Sequence, residues 1–296
     1  MPKWWQERDM WKGLSFTCPH MPLHDPDALL FLEREITERA PDIVVSLGDW
    51  HEMDAASKWP NHYSWDITYE FAAANYYLGR LAAVARKANP EVRLIWLPGN
   101  HDHNLFEQGR GMDKVRGSLA YHLHEPNLAE WERPLGYQYV FGKHTGTFRL
   151  GQMTFAHGWE ATAAADEYAA ILLGMPYGLT VQGHTHKPRS PFMSSKTKAV
   201  GLPYYAANPG TLRDIYNIPW MERKRRHEWG QAVVHWEQAV WDGLDKGLIP
   251  DYPMWEAETK VFRMFDDVAL RHMQDETPTE DFVNAALEQD KIGDYA

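Results

Sequence analysis

The stretch Arg93 to His103 reads RLIWLPGNHDH. An apolar run, Leu94 to Leu97, stops at Pro98-Gly99 and delivers Asn100, His101, Asp102 and His103 in one turn. Apolar residues ended by Pro-Gly read as a buried strand breaking into a loop. Polar groups at the end of such a strand are where an α/β enzyme keeps its chemistry. Taken alone, Asn-His-Asp reads first as a plain polar turn. The same event, strand then glycine then metal-type side chain, recurs along the chain, and the recurrence gives this turn its meaning.

Working outward, Gly13 to Thr17 (GLSFT) reads as a short strand that runs into Cys18-Pro19-His20. Asp25 to Arg39 carries Leu29, Leu30, Leu32 and Ile36 among charges, with Asp25 as N-cap and Pro26 at the first helical position. Asp42 to Leu47 (DIVVSL) is a buried strand ending at Gly48-Asp49, followed by a loop without period from Trp50 to Tyr63. Ser64 to Lys87 has apolar residues at helical spacing and reads as a long helix leading into the stretch above. Strand, helix, strand, helix, strand predicts a parallel sheet with right-handed crossovers. Further on, Tyr137 to Val140, Gly146 to Leu150 and Gln152 to Ala156 alternate like antiparallel strands, the last ending at His157-Gly158. Ala161 to Leu173 reads as a helix, and Leu179 to Gln182 as a strand ending at Gly183-His184-Thr185-His186. Lys198 to Gly201 and Tyr204 to Ala207 read as strands before Asn208-Pro209-Gly210; Gln231 to Glu237 and Lys260 to Met264 read as edge strands. The segment after His103 (LFEQGRGMDKVRG) reads as a mobile loop and Ser118 to His124 as a short helix. One domain over residues 1–274 is expected, with an acidic tail at 275–296.

Composition narrows the function classes. The net charge of -11 argues against a protein that coats nucleic acid nonspecifically, because its overall field repels phosphates. Cys18 is the only cysteine, so no internal disulfide can form and a reducing, cytoplasmic setting is expected. No apolar stretch suits a membrane span, and the N-terminal MPKWWQERDMWKG lacks the apolar core of a signal peptide.

Five strand ends therefore carry candidate ligands: Cys18 and His20; Asp49; Asn100 with His101; His157; His184 and His186. Imidazole nitrogen and carboxylate oxygen suit Mn, Fe or Zn, and one carboxylate can bridge two ions. The His184-x-His186 spacing puts both rings on one side of an extended segment. The glycine before Asp49, Asn100 and His184 lets the backbone turn sharply.

The series C-P-H (18 to 20), G-D (48 to 49), G-N-H-D (99 to 102), A-H-G (156 to 158) and G-H-T-H (183 to 186) resembles the calcineurin-like metallophosphoesterase superfamily. With N-P-G-T at 208 to 211, the resemblance extends from about Leu14 to Leu212. It implies an α/β fold, a four-layer α/β/β/α metallophosphoesterase sandwich with mixed sheets, around two divalent metal ions (Mn, Fe or Zn). By position, one metal would be held by Cys18, His20, Asp49 and His186, the other by Asp49, Asn100, His157 and His184, with Asp49 bridging. His101 would protonate the leaving oxygen or stabilise the charged transition state, and Asp102 would orient the His101 ring. The first motif departs from the usual Asp-x-His. Cys18 is either a buried core residue or a thiolate ligand, as in RNA-lariat debranching enzymes, which resemble the chain at that position. A thiolate would bias its site toward Zn or Fe and could leave one metal dominant.

The implied activity is that of a metal-dependent phosphohydrolase on a phosphoester substrate, similar to the stand-alone members of bacteria and their phages. A phosphodiesterase or nuclease acting on nucleic acid or nucleotides leads, a phosphomonoesterase (phosphoprotein phosphatase included) is the alternative, and a non-catalytic scaffold on the same fold is the third reading. The run Arg223, Lys224, Arg225 and Arg226 reads first as a solvated face, and otherwise as a local patch for a phosphate backbone with Trp220 and Trp229 beside it. Arg110, Lys114 and Arg116 could serve a closing lid in the same way. His24, His51, His62 and His103 read as loop histidines near the site, more readily solvated than functional.

Overall fold

A computed structural model describes residues 9–54, 63, 67–102, 130–132, 137–140, 143–196, 201–216, 228–241, 243 and 246–262. The first strand, β1, is Met10–Phe16, and it leads through the Cys18 loop to helix α1, Pro26–Arg39. Asp25 caps α1 by accepting from the amides of Asp27 (2.9 Å) and Ala28 (3.3 Å). Strand β2 (Ile43–Ser46), helix α2 (Ile67–Ala88) and strand β3 (Arg93–Trp96) follow. The second half comprises β4 (Tyr137–Val140), β5 (Lys143–Leu150), β6 (Met153–Ala156), helix α3 (Ala165–Leu173), β7 (Leu179–Gln182), β8 (Arg189–Met193), β9 (Tyr205–Asn208), β10 (Ala232–Ala239) and β11 (Trp255–Val261).

These strands form two mixed sheets, one ordered β11-β10-β1-β2-β3 and the other β4-β5-β6-β7-β9-β8. Each has a parallel centre, β1-β2-β3 in the first and β6-β7-β9 in the second. Side chains alternate between the faces of the first sheet. Ile43, Val45, Ile95 and Leu97 meet Phe155, Val181 and Ala207 between the sheets, whereas Val44, Leu94 and Trp96 pack on Leu29, Leu32, Ile36, Leu78 and Leu81 of α1 and α2. Ala169 and Leu173 of α3 cover Ala156 on the outer side of the second sheet. The layers are thus helix, sheet, sheet, helix, the four-layer α/β/β/α arrangement. Each fully buried aliphatic side chain stabilises it by about 1.5–3 kcal/mol. Among the described residues no helix is long and apolar enough to cross a membrane.

Register positions the functional end. Phe16, Ser46 and Trp96 stand side by side, as do Ala156 and Gln182, so the parallel strands of each sheet release their loops at one level.

Two expectations are corrected, and one strand is additional. Strand β10 is interior, between β1 and β11, and of these two expected edge strands β11 alone is an edge; the buried run Ala232–Trp236 agrees with an interior place. Strand β11 starts at Trp255, earlier than the Lys260 onset read from the sequence. Strand β8 has no counterpart among the expected strands; it contains Pro191, which a sheet tolerates at an edge, and β8 is an edge. The expected strand at Lys198 to Gly201, apart from Gly201, the short helix at Ser118 to His124, the loop after His103 and the tail at 275–296 lie outside the described residues.

Candidate metal centre

The loops that leave β1, β2 and β7 carry unusual backbone. Cys18, His20, Asp49, His184 and His186 all have positive φ, at 53°, 51°, 52°, 66° and 60°. Left-handed conformations cost non-glycine residues on the order of 1–3 kcal/mol and persist only where surroundings enforce them. The enforcement is visible in backbone bonds: Cys18 N donates to Gly48 O (2.9 Å) and His20 N to Asp49 O (3.0 Å). Gly48 (φ 99°) touches Gly99 so closely that an added Cβ would lie 2.3 Å from the Gly99 nitrogen. A Cβ on Gly99 would lie 2.2 Å from Asp49 Oδ1. Two glycines therefore allow the β2 and β3 loops to cross and bring Asp49 beside Asn100.

The side chains then converge. His157 Nε2 lies 3.1 Å from Asp49 Oδ2, 2.9 Å from Asn100 Oδ1 and 3.2 Å from His184 Nδ1. His20 Nε2 lies 3.2 Å from His186 Nε2 and 3.8 Å from Asp49 Oδ2. The donor atoms of Cys18, His20 and His186 lie within 4.8 Å of one another, as do those of Cys18, Asp49 and His157. Cys18, His20, Asp49, His157 and His186 are buried, and His101 keeps 29% of its side chain exposed.

Outer partners fix which ring nitrogen carries the proton. His157 Nδ1 donates to the Leu47 carbonyl (2.8 Å), leaving a lone pair on the inward Nε2. His20 Nδ1 donates to Glu52 Oε2 (2.7 Å), which does the same for that ring. The His157 lone pair then faces two further acceptors, Asp49 Oδ2 at 3.1 Å and Asn100 Oδ1 at 2.9 Å, an arrangement that a cation among them satisfies.

Electrostatics agrees. Burial, with His20 beside it, holds His186 well below the usual histidine range, and burial likewise lowers His20. Burial pushes Asp49 up, but His157, His101 and His20 outweigh it and hold the carboxyl well below its ordinary value. A metal requires unprotonated ring nitrogens and an ionised carboxylate, and the directions for His186, His20 and Asp49 favour both. Burial, then Asp49, pushes the Cys18 thiol well up, so its thiolate would form only with a cation beside it. The donor chemistry fits divalent metal ions, and the Cys18 sulfur lies within 4.8 Å of the donor atoms of His20 and His186 and of Asp49 and His157.

One role is corrected. Asp102 does not reach the His101 ring; it accepts from the amides of Gly99 (2.9 Å), Trp50 (3.3 Å) and His51 (3.1 Å) and from His51 Nδ1 (2.8 Å). It ties the β2 and β3 loops together, and His51, 2% exposed, is a buried part of that tie and no solvated loop histidine. His101 is held instead through its amide, which donates to Asp49 Oδ1 (2.8 Å), and through Nδ1 against the Glu52 carbonyl (2.5 Å). Its affinity for a proton is raised: burial lowers it, but Asp49 and Glu52 outweigh burial.

Two residues escaped the sequence reading. Glu52 joins His20 to Arg213, whose Nη1 lies 2.7 Å from Glu52 Oε2, and both are buried. The signal for Glu52 was a carboxylate three residues after Asp49; Arg213 carried none. His24 is also buried, edge-on to Tyr77. Arg223, Lys224, Arg225 and Arg226, with Trp220, His62, His103, Arg110, Lys114 and Arg116, lie outside the described residues.

Neither a protein-family profile nor a curated protein sequence matches the chain. Among solved structures, it is similar to the Escherichia coli phosphoesterase YfcE, at 14% identity and a TM-score of 0.38 over 77% of this chain and 92% of that one. It is also similar to Vps29 of Entamoeba histolytica (12% identity, TM-score 0.34, 85% of this chain and 99% of that one). Vacuolar protein sorting 29 of Cryptosporidium parvum gives 11% identity and a TM-score of 0.35 over 86% of this chain and 99% of that one. Scores this low set no residue equivalences, and the site stands on its own geometry.

Proposed function

We propose that the chain is a metal-dependent phosphoester hydrolase, and that its substrates are phosphodiesters of the nucleic-acid or nucleotide class. The observation that carries the reading is the convergence of His157 Nε2, Asp49 Oδ2 and Asn100 Oδ1 as three acceptors, beside a partly open His101. Cys18, His20, Asp49 and His186 would hold one ion and Asp49, Asn100, His157 and His184 the other. The chemistry such a pair supplies when bound is polarisation of the phosphoryl oxygens and a water acidified enough to act as hydroxide near neutral pH.

The chain's own residues do the rest. Glu52 and the Leu47 carbonyl keep the His20 and His157 rings in the donor tautomer. Asp49 accepts the His101 amide, so the acid and the donor cluster are one rigid unit. His101 holds a proton and is open enough to pass it to the departing ester oxygen. A diester presents a second substituent that needs a surface, and Trp229, edge-on to His186 with ring centroids 4.3 Å apart, supports that preference.

Turnover of bis-p-nitrophenyl phosphate against p-nitrophenyl phosphate, with Mn(II) added to metal-free protein, tests the reading. A higher rate on the diester is expected. A higher rate on the monoester would replace it with a phosphomonoesterase, and no turnover with Mn, Fe or Zn would leave a scaffold.

A further inference from the structure

Behind the Gly183 to His186 turn lies a second polar cluster, which the proposed chemistry does not use. Asp166, in the first turn of α3, and Asn208, the last residue of β9, are both buried. Asn208 Nδ2 lies 2.9 Å from Asp166 Oδ1, 2.9 Å from Thr185 Oγ1 and 3.2 Å from the Gly183 carbonyl. Its own Oδ1 accepts from the Gly210 amide at 2.8 Å. Next to Gly210, the Thr211 hydroxyl donates to the Cys18 carbonyl at 2.7 Å. On the other side of the turn, an added Cβ at Gly183 would lie 2.3 Å from Thr17 Oγ1. The turn is therefore clamped between Thr17, just past the end of β1, and Asn208.

This clamp answers a question the strained backbone poses. His184 and His186 are both left-handed, and nothing in their own sequence favours that conformation. The strain must be held from outside, and Asn208 bonds to the two residues, Gly183 and Thr185, that alternate with them. Asn208 can hold them only if its own amide is fixed. Asp166 fixes it from α3, at the cost of burying a carboxylate whose other oxygen finds Arg189 Nη1 only at 3.5 Å.

We propose that Asp166 is a positioning residue for the metal centre: by anchoring Asn208 it holds the Gly183 to His186 turn in the conformation that points His184 and His186 inward, and through the Gly210-Thr211 turn it steadies the Cys18 loop. The proposal rests on reading the donor cluster as a metal centre.

The test is calorimetric titration of Mn(II) into metal-free protein, alongside the thermal midpoint of each metal-free variant. Asp166→Ala should weaken Mn(II) binding by about 10–100-fold, the usual effect of removing a group that orients ligands. Asp166→Asn keeps an oxygen that accepts from Asn208, so it should retain affinity within about threefold. Arg189→Ala should leave affinity unchanged. Thr185→Val, which removes one acceptor at equal volume, should weaken binding between those limits, and it decides the matter if Asp166→Ala does not fold. Parent-like affinity in Asp166→Ala or in Thr185→Val overturns the proposal, as does an Asp166→Asn loss as large as the alanine's. A drop in thermal midpoint without a drop in affinity makes Asp166 structural only, and also overturns it. If the parent binds no Mn(II), the metal-centre reading fails first and takes this one with it.

Discussion

Replacing Glu35 by Gln removes a charge from the helix-facing side of the first sheet, at a residue that is not among the candidate donors. Glu35, on α1, is buried; its Oε2 lies 2.8 Å from His235 Nε2 on β10, and its Oε1 meets Lys260 Nζ on β11 and lies 3.7 Å from Arg34 Nη2. Burial pushes its carboxyl up, but the bonds to His235 and Lys260 outweigh this and bring it from 4.5 to about 2. A shift of that size corresponds to about 3 kcal/mol. Lys260 is 42% exposed and its share is screened, so about 2 kcal/mol is expected. The sign follows from a folded value below the unfolded one: the stabilisation is complete above about pH 4.5 and is lost as pH falls toward 2. Urea unfolding of parent and Glu35→Gln at pH 7 should differ by about 2 kcal/mol, and the gap should close between pH 4.5 and 2. A gap that stays constant over that range, or a variant more stable than the parent at pH 7, would falsify the reasoning.

Three other outcomes are expected. His101→Ala should lower phosphoester turnover by about 10²–10⁴-fold with metal content unchanged by elemental analysis, and lost metal would make it a ligand. Cys18→Ser in Co(II)-loaded protein should abolish a near-ultraviolet thiolate-to-metal absorption present in the parent; a parent without that band would return Cys18 to the core. Gly48→Ala should prevent folding or cost more than about 4 kcal/mol, because φ is 99° and the new Cβ would lie 2.3 Å from the Gly99 nitrogen. A soluble variant with parent-like urea midpoint would show that the loop crossing is not as tight as described.

Much of this was legible from local pattern. DIVVSL followed by Gly48-Asp49 and LIWL followed by Pro98-Gly99 announce strands that stop at polar residues, and β2 and β3 do so at the same level. Asp25-Pro26 announced the start of α1, and its side chain caps it. The candidate donors Cys18, His20, Asp49, Asn100, His157, His184 and His186 stand out in the sequence because each follows a strand within a few residues, and the parallel strands of each sheet release those ends at one level. What local pattern could not supply was pairing. Asp102 looked like the partner of its neighbour His101, yet it bonds to His51 across 51 residues. Glu52 lay in a loop without period and gained its meaning from His20 and Arg213, which reach it from beyond β1 and from beyond β9. Asp166 meets Asn208 across 42 residues, and Glu35 meets His235 across 200. Periodicity and turn chemistry are properties of a few consecutive residues, so the chain states where strands end and which donors they carry. Which donors face each other, which nitrogen bears the proton and what holds a left-handed histidine in place depend on which strands become neighbours, and only the packed sheets settle that.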